Sequence, residues 1–206
     1  MRVRILDRMS AVSRTPPTGA ATAEDLLALP DETRAEIVHG SIVEKAAPSA
    51  EHGDAQLALG ERLRGRFHRR GGGPDGPGGW WILTEVDVEL ERNEVFRPDL
   101  VGWRRERVPE RLRGGPVRVR PDWICEILSP SNAKTDLVDK FQVLQRCEVP
   151  HYWIVDPERE VLTIHRWQKD GYLVVLQAKR GQTVHPEPFD AMTLDVGVLF
   201  GDEPKD

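Results

Sequence analysis

A single acidic residue inside an otherwise apolar stretch limits what this chain can fold into. The stretch is Trp123-Ile-Cys-Glu-Ile-Leu128, and its length and apolar character predict a buried strand. Strand alternation places Glu126 on one face, between Ile124 and Leu128. A buried carboxylate has to be paired with a cation, bound to a metal or shifted in its pKa. We therefore expect Glu126 to serve a functional site, with a structural salt bridge to an arginine as the alternative.

A second acidic residue lies at the start of the preceding predicted strand, which covers residues 98–103. Asp99 follows Pro98, and because proline has no N–H it is common at the first position of a strand. A carboxylate in this place can project from the end of the sheet. An ordinary Pro-Asp turn is the structural alternative.

The helix predicted to follow the Glu126 strand carries a lysine. It covers residues 136–146, and Lys140 lies one turn from its start. A surface ion pair with Asp136 at i, i+4 is the structural alternative for this lysine, and Lys134 in the preceding loop is its rival for a catalytic role. Two carboxylates from neighbouring strands and one lysine can hold a divalent metal and a water for phosphodiester hydrolysis.

The remaining elements predict a mixed β-sheet flanked by helices, which is an α/β fold. Ser49 is suited to cap a long helix in which Leu57, Leu59, Leu63 and Phe67 recur near helical spacing. The other predicted elements are a helix over 23–29, a hairpin over 34–39 and 41–46, one extended stretch over 80–83 and 86–90, a strand over 152–155, and a hairpin over 161–167 and 172–177.

The composition indicates one domain. With 206 residues, 39% hydrophobic and 31% charged, the chain can bury one sizeable core. We predict a flexible N-terminal arm over 1–21, the domain itself over 22–200 and an acidic tail over 201–206. No segment approaches the ~20 apolar residues needed to cross a membrane, and the two cysteines lack CxxC spacing. These features favour a cytoplasmic protein with reduced thiols.

Arginines are concentrated in two segments, 62–70 and 104–120, although the net charge is −5. A locally basic face on an acidic protein is one interpretation, and arginines that solvate a helix and a loop are the other. The six tryptophans fall in or beside apolar strands, so we expect them to pack in the core rather than to stack on bases.

Several blocks of the sequence, taken in order, resemble the PD-(D/E)XK nuclease superfamily and, more narrowly, the Uma-type family of restriction endonucleases common in bacterial genomes. The blocks Glu-Ile-Leu-Ser-Pro-Ser and Tyr-Trp-Ile-Val-Asp-Pro are the most specific together. The resemblance implies a restriction-endonuclease-like fold and makes the domain over 22–200 a PD-(D/E)XK nuclease-like domain. The matching blocks are 29–43, 47–52, 97–101, 124–131, 136–140 and 152–157.

The resemblance also implies a metal site. Asp99 corresponds to the superfamily aspartate and Glu126 to the second acidic metal ligand, with the backbone carbonyl of Ile127 as a third ligand. The expected cofactor is Mg²⁺, with Mn²⁺ as a substitute.

One position departs from the motif. The superfamily's lysine would stand at residue 128, which is leucine here, and Lys140 is the position that matches a migrated lysine. Its ammonium would orient an attacking water and stabilise charge in the transition state. Glu36 or His52 would complete the site.

These expectations combine into a Mg²⁺-dependent DNA endonuclease without a membrane segment, with a homodimer to supply the two active sites that a double-strand cut requires. The alternative is a catalytically inactive fold relative that binds nucleic acid or protein, which the leucine at residue 128 and the negative net charge favour. Because the sequence shows no obvious basic partner for either acid, we expect Glu126→Gln to raise the melting temperature of the metal-free protein.

Overall fold

The computed structural model describes residues 19–30, 32–71, 77–129 and 135–203, except for the side chains of 135 and 136. Most of the predicted arm, the end of the acidic tail and Lys134 lie outside these ranges. The helices are α1 (Ala23–Leu27), α2 (Ala50–Phe67), a π-helix (Thr135–Lys140), α3 (Phe141–Arg146) and a 3-10 helix (Val196–Phe200).

The strands form three sheets. A six-stranded sheet has the order β10-β9-β8-β7-β6-β3, a four-stranded sheet has the order β2-β1-β5-β4, and β11 pairs with β12. The strands are β1 (Ala35–Val38), β2 (Ser41–Glu44), β3 (Trp80–Thr84), β4 (Val88–Glu91), β5 (Glu94–Phe96), β6 (Leu100–Arg104), β7 (Trp123–Ile127), β8 (His151–Asp156), β9 (Val161–Gln168), β10 (Gly171–Lys179), β11 (Thr183–Val184) and β12 (Leu194–Asp195).

The six-stranded sheet is mixed, which confirms the predicted α/β class. β7 and β8 run parallel, whereas β7 and β6 run antiparallel, so β7 is an interior strand with a neighbour of each kind. Alternate residues of β7 enter different cores. Trp123, Cys125 and Ile127 share a buried cluster with α2, and Ile124 shares another with α3 and β5. Glu126 therefore lies on the face that α3 and the four-stranded sheet cover.

Two predicted elements were wrong in detail. The single stretch over 80–90 divides between β3 in one sheet and β4 in another, because the chain turns at Glu85, which has a positive φ of 52°. The strand predicted from residue 98 begins at Leu100, so Asp99 lies on the bend just before β6.

Four of the six tryptophans, Trp80, Trp103, Trp123 and Trp153, are buried in the core as predicted. Trp123 and Trp153 meet edge to face with ring centroids 5.4 Å apart, and Phe189 packs against both rings. Among the described residues, no helix combines the length and the apolar character that a membrane crossing requires.

Helix α2 confirms the predicted cap and corrects the predicted apolar face. The Ser49 hydroxyl accepts a hydrogen bond from the His52 N–H at 3.2 Å, as an N-cap does. Leu59 is fully buried, whereas Leu57 is 72% exposed. Helical geometry separates these two leucines by about 200° around the axis, so they cannot share one face.

We expect Leu59→Ala to lower the free energy of unfolding by about 2–5 kcal/mol, because it opens a cavity in the core. Leu57→Ala is the matched control two residues away, and it should change this free energy by less than about 0.5 kcal/mol. Urea denaturation of both variants measures the difference. Equal losses would show that α2 is packed with a different rotation.

Candidate active site

Six ionisable side chains are buried together where the two larger sheets and α2 meet. Their side chains are between 1% and 9% exposed. Each comes from a different part of the fold: β1, the residue after β2, α2, the bend before β6, β7 and the end of the π-helix. We call them the buried ionic cluster; its members are Glu36, Lys45, His52, Asp99, Glu126 and Lys140.

Asp99 is held by donors on both carboxylate oxygens. Oδ2 accepts a hydrogen bond from the Ile127 N–H at 2.7 Å, and Oδ1 accepts one from Lys45 Nζ at 3.2 Å. His52 Nε2 lies 3.3 Å from Oδ1. Burial acts to raise the pKa of Asp99, but the hydrogen bond from His52 and the charge of Lys45 outweigh it and lower this pKa to about 2. Asp99 is therefore an anion at neutral pH.

Lys140 joins the other two carboxylates. Its Nζ lies 2.7 Å from Glu36 Oε2 and donates to Glu126 Oε1 at 2.9 Å. Glu36 Oε1 also accepts the Arg97 N–H at 2.6 Å. Glu36 is thus fixed from two sides, and it fixes Lys140 beside Glu126 in turn.

Lys45 connects the two halves of the cluster. Its Nζ donates to the Arg97 carbonyl at 2.7 Å as well as to Asp99. Burial acts to lower the pKa of Lys45, but the carboxylates of Glu126, Asp99 and Glu36 outweigh it and raise this pKa. The ammonium is therefore charged and stands within the field of all three acids.

The segment that carries Lys140 buries a charged side chain and exposes apolar ones. Lys140 is 1% exposed, whereas Leu137 and Val138 are 40% and 44% exposed. The regular helix expected from residue 136 is instead a π-helix up to Lys140, and α3 begins at Phe141. The wider π turn changes which residues face inward, and such turns are frequent at functional sites. A surface ion pair does not describe this buried lysine; the Asp136 side chain lies outside the described residues.

The structure brings together all five side chains that the sequence singled out: Glu36, His52, Asp99, Glu126 and Lys140. It also shows that the acids are not unpaired, so the expectation of no basic partner was wrong. Glu126 pairs with a lysine, Lys140. The reason for a higher melting temperature of Glu126→Gln is thereby removed.

Lys45 was missed. In the β1–β2 hairpin Glu36 pairs with Val43, and residues two apart on a strand share a face. Lys45 therefore lies diagonally opposite Glu36 on the same face. With its register known, the predicted hairpin would have placed Lys45 on the same face as Glu36.

Three carboxylates face two ammonium groups and one imidazole in the cluster. His52 Nδ1 is buried and has no hydrogen-bond partner within the described ranges. In that same part of the chain, no three His, Cys, Asp or Glu side chains are grouped as a complete metal cage. The protein therefore offers oxygen donors in pairs with lysines rather than a closed all-protein site.

Comparison with known proteins concerns the fold and the family of this chain. One solved structure, "a putative nuclease belonging to DUF820" from Anabaena variabilis, superposes with a TM-score of 0.69 at 20% identity and covers 87% of this chain and 97% of that one. This likeness shows a shared fold. No curated protein matches the sequence. Residues 23–197 match the Uma2 family, described as "Putative restriction endonuclease". The chain therefore belongs to the Uma2 family.

Proposed function

We propose that this protein is a metal-dependent endonuclease that hydrolyses phosphodiester bonds in DNA. The observation that carries the proposal is the burial of Lys140 between Glu36 and Glu126, next to the anionic Asp99. Membership of the Uma2 family supports the proposal, and so does the fold shared with a solved structure that is described as a nuclease.

The donor chemistry fits Mg²⁺. Asp99 and Glu126 would hold the ion, and the Ile127 carbonyl is a candidate third ligand, because the N–H of Ile127 already points to Asp99 and both groups of a strand residue face the same neighbour. Mg²⁺ is usually bound by one or two carboxylates together with waters and substrate phosphates. The three carboxylates suit a cation, and His52 Nδ1, which has no hydrogen-bond partner among the described residues, suits one of its waters.

When bound, such an ion would supply Lewis-acid activation of the phosphate and of a water. The chain's own residues would do the rest. Lys140 donates hydrogen bonds from a fixed position beside Glu126, so it can orient a water and stabilise negative charge that develops on the phosphate. Because Glu36 Oε2 lies 2.7 Å from Lys140 Nζ, Glu36 would act as a positioning residue for this ammonium.

Lys45 and His52 would position Asp99. Both contact Oδ1, while the Ile127 N–H holds Oδ2. These contacts keep the carboxylate ionised and fix its rotamer, which a preorganised metal ligand requires. A homodimer, which would supply two such sites for a double-strand cut, stays part of the proposal.

A specific observation favours a second candidate function, that of a non-catalytic binding module. Asp99 and Glu126 are both already paired with lysines, and residue 128 is leucine rather than the motif's lysine. In such a module the cluster would only stabilise the fold. Incubation of the purified protein with plasmid DNA and Mg²⁺ or Mn²⁺ separates the two candidates.

We expect DNA nicking or cleavage to require Mg²⁺ or Mn²⁺ and to fall by about 100-fold or more in Asp99→Ala and in Glu126→Ala, since each loses a metal ligand. Asp122→Ala is the control, because Asp122 is also buried but pairs with Arg107 outside the cluster. Plasmid-cleavage rates measure the effect. Undiminished cleavage by either cluster variant would end the assignment.

We expect Lys140→Met to lose cleavage by about 100-fold or more while it still binds Mn²⁺, because the ammonium acts on the transition state and is not a ligand. Calorimetric titration with Mn²⁺ and plasmid cleavage are the two readouts. Lys134→Ala should have a smaller effect, mainly on DNA affinity. Full cleavage by Lys140→Met would contradict the role, and an inactive Lys134→Ala beside it would move the role to the loop.

In metal-free buffer we now expect Glu126→Gln to lower the free energy of unfolding by about 1–3 kcal/mol, because Lys140 loses one of its charged partners. Combining Lys140→Met with Glu126→Gln should cost less than the sum of the two single changes, since the pair interacts directly. Urea denaturation in EDTA gives this coupling. A more stable Glu126→Gln would show that the ion pair is not formed in solution.

A further inference from the structure

The charges of three arginines act on His68 near the point where α2 stops and β3 starts, and Arg70 acts on one of the three, Arg105. We call Arg64, Arg70, Arg105 and Arg111 the arginine cluster. Its framework is fixed by backbone contacts. His68 Nδ1 lies within 3.0 Å of the N–H and the carbonyl of Ile82, and Arg105 Nε donates to the Trp80 carbonyl at 2.9 Å.

Trp81 packs against the arginine cluster. The Arg105 guanidinium lies 3.6 Å from the centroid of the Trp81 ring, as in a cation–π contact. The His68 ring meets the same indole edge to face at 5.6 Å. Trp81 Nε1 also donates to the Val108 carbonyl at 2.9 Å, which ties the loop that carries Arg111 to this indole.

The charges in this cluster repel one another. Burial lowers the pKa of His68, and the charges of Arg64, Arg105 and Arg111 lower it further. Burial likewise lowers the pKa of Arg105, and Arg70 adds to that effect. These positive groups are therefore close enough to disfavour each other's charged forms.

No acid compensates them within the ranges that the structure describes. Among the described acids of the same segments, Glu61, Glu106 and Glu110 form no ion pair with the cluster, and Asp75 lies outside the described residues. Nine other arginines of the described chain pair with carboxylates, although not every arginine outside the cluster does; the nine are Arg34, Arg97, Arg107, Arg118, Arg120, Arg146, Arg159, Arg166 and Arg180. On a chain of net charge −5, an uncompensated cluster of this kind is suited to an external anion.

The distance between the buried ionic cluster and the arginine cluster can be estimated along two elements. Helix α2 leads from His52 to His68, which at 1.5 Å per residue is about 24 Å. The β6 strand leads from Asp99 to Arg105, which at about 3.4 Å per residue is about 20 Å. Since duplex DNA rises about 3.4 Å per base pair, the separation corresponds to about six or seven base pairs.

We propose that the arginine cluster binds the phosphate backbone of duplex DNA about six or seven base pairs from the phosphate that is cleaved. The inference rests on the proposed function, since the buried ionic cluster defines the cleaved phosphate. Guanidinium groups bind phosphate oxygens in a bidentate manner and stay charged at all relevant pH values. Contacts of this kind fix register on the duplex without reading sequence.

The test measures binding without cleavage, in EDTA. Anisotropy of a fluorescent 24-base-pair duplex, recorded over a range of KCl concentrations, gives the dependence of log K on log salt. We expect the triple variant Arg64→Gln, Arg70→Gln, Arg111→Gln to reduce this slope by about 2–3, at about 0.9 per lost phosphate contact, and to weaken binding by more than about tenfold.

The matched control carries the same charge change elsewhere. Arg118→Gln, Arg159→Gln and Arg166→Gln remove three exposed arginines that pair with acids, and this triple variant should keep the wild-type slope. The cluster variant should also keep the wild-type melting temperature or exceed it, because it relieves repulsion.

The outcomes are separable from those of the cleavage assays. An unchanged slope in the cluster variant, equal losses in both triple variants, or the absence of duplex binding by the wild type would overturn the inference. A loss seen with heparin but not with the duplex would also overturn it. A cluster-dependent slope in a protein that cleaves nothing would keep the DNA-binding surface and reject the nuclease.

Discussion

The interaction on which the rest of the structure depends is the contact of Lys140 with Glu36 and Glu126 inside the fold. Buried charges are costly, and removing one partner of a buried pair typically costs 3–5 kcal/mol because the other is left uncompensated. The partners come from β1, β7 and the π-helix. The cluster is therefore complete only when the four-stranded sheet, the six-stranded sheet and the π-helix are assembled together.

Stability alone does not explain such a cluster, since apolar residues of similar volume often stabilise a core as well or better. The π-helix supports the same conclusion, because it buries a lysine and exposes Leu137 and Val138. Burying a lysine and exposing two apolar side chains both cost stability. Where a chain accepts both of these costs in one segment, a site with a chemical role is expected. The arginine cluster lies at the other end of α2 and β6, so catalysis and backbone binding would occupy opposite ends of the same two elements.

Much of this could be predicted from the sequence, because some physical signals are local. The carboxylate of Glu126 within an apolar strand, the cap at Ser49 and the hairpin around Gly40 are visible in short windows. The pairing of Lys45 with Asp99 joins residues 54 positions apart, and no local pattern contains it. The turn at Glu85 and the π geometry before Lys140 are equally hidden, because they depend on tertiary packing rather than on residue preference.

Anomalous diffraction from crystals soaked in Mn²⁺ would show whether Asp99 and Glu126 form a site for a divalent cation. We expect a Mn²⁺ peak in contact with carboxylate oxygens of both residues, and its loss in Glu126→Gln. A full-occupancy Mn²⁺ peak elsewhere, with Lys45 and Lys140 still paired to undisturbed carboxylates at saturating Mn²⁺, would contradict it.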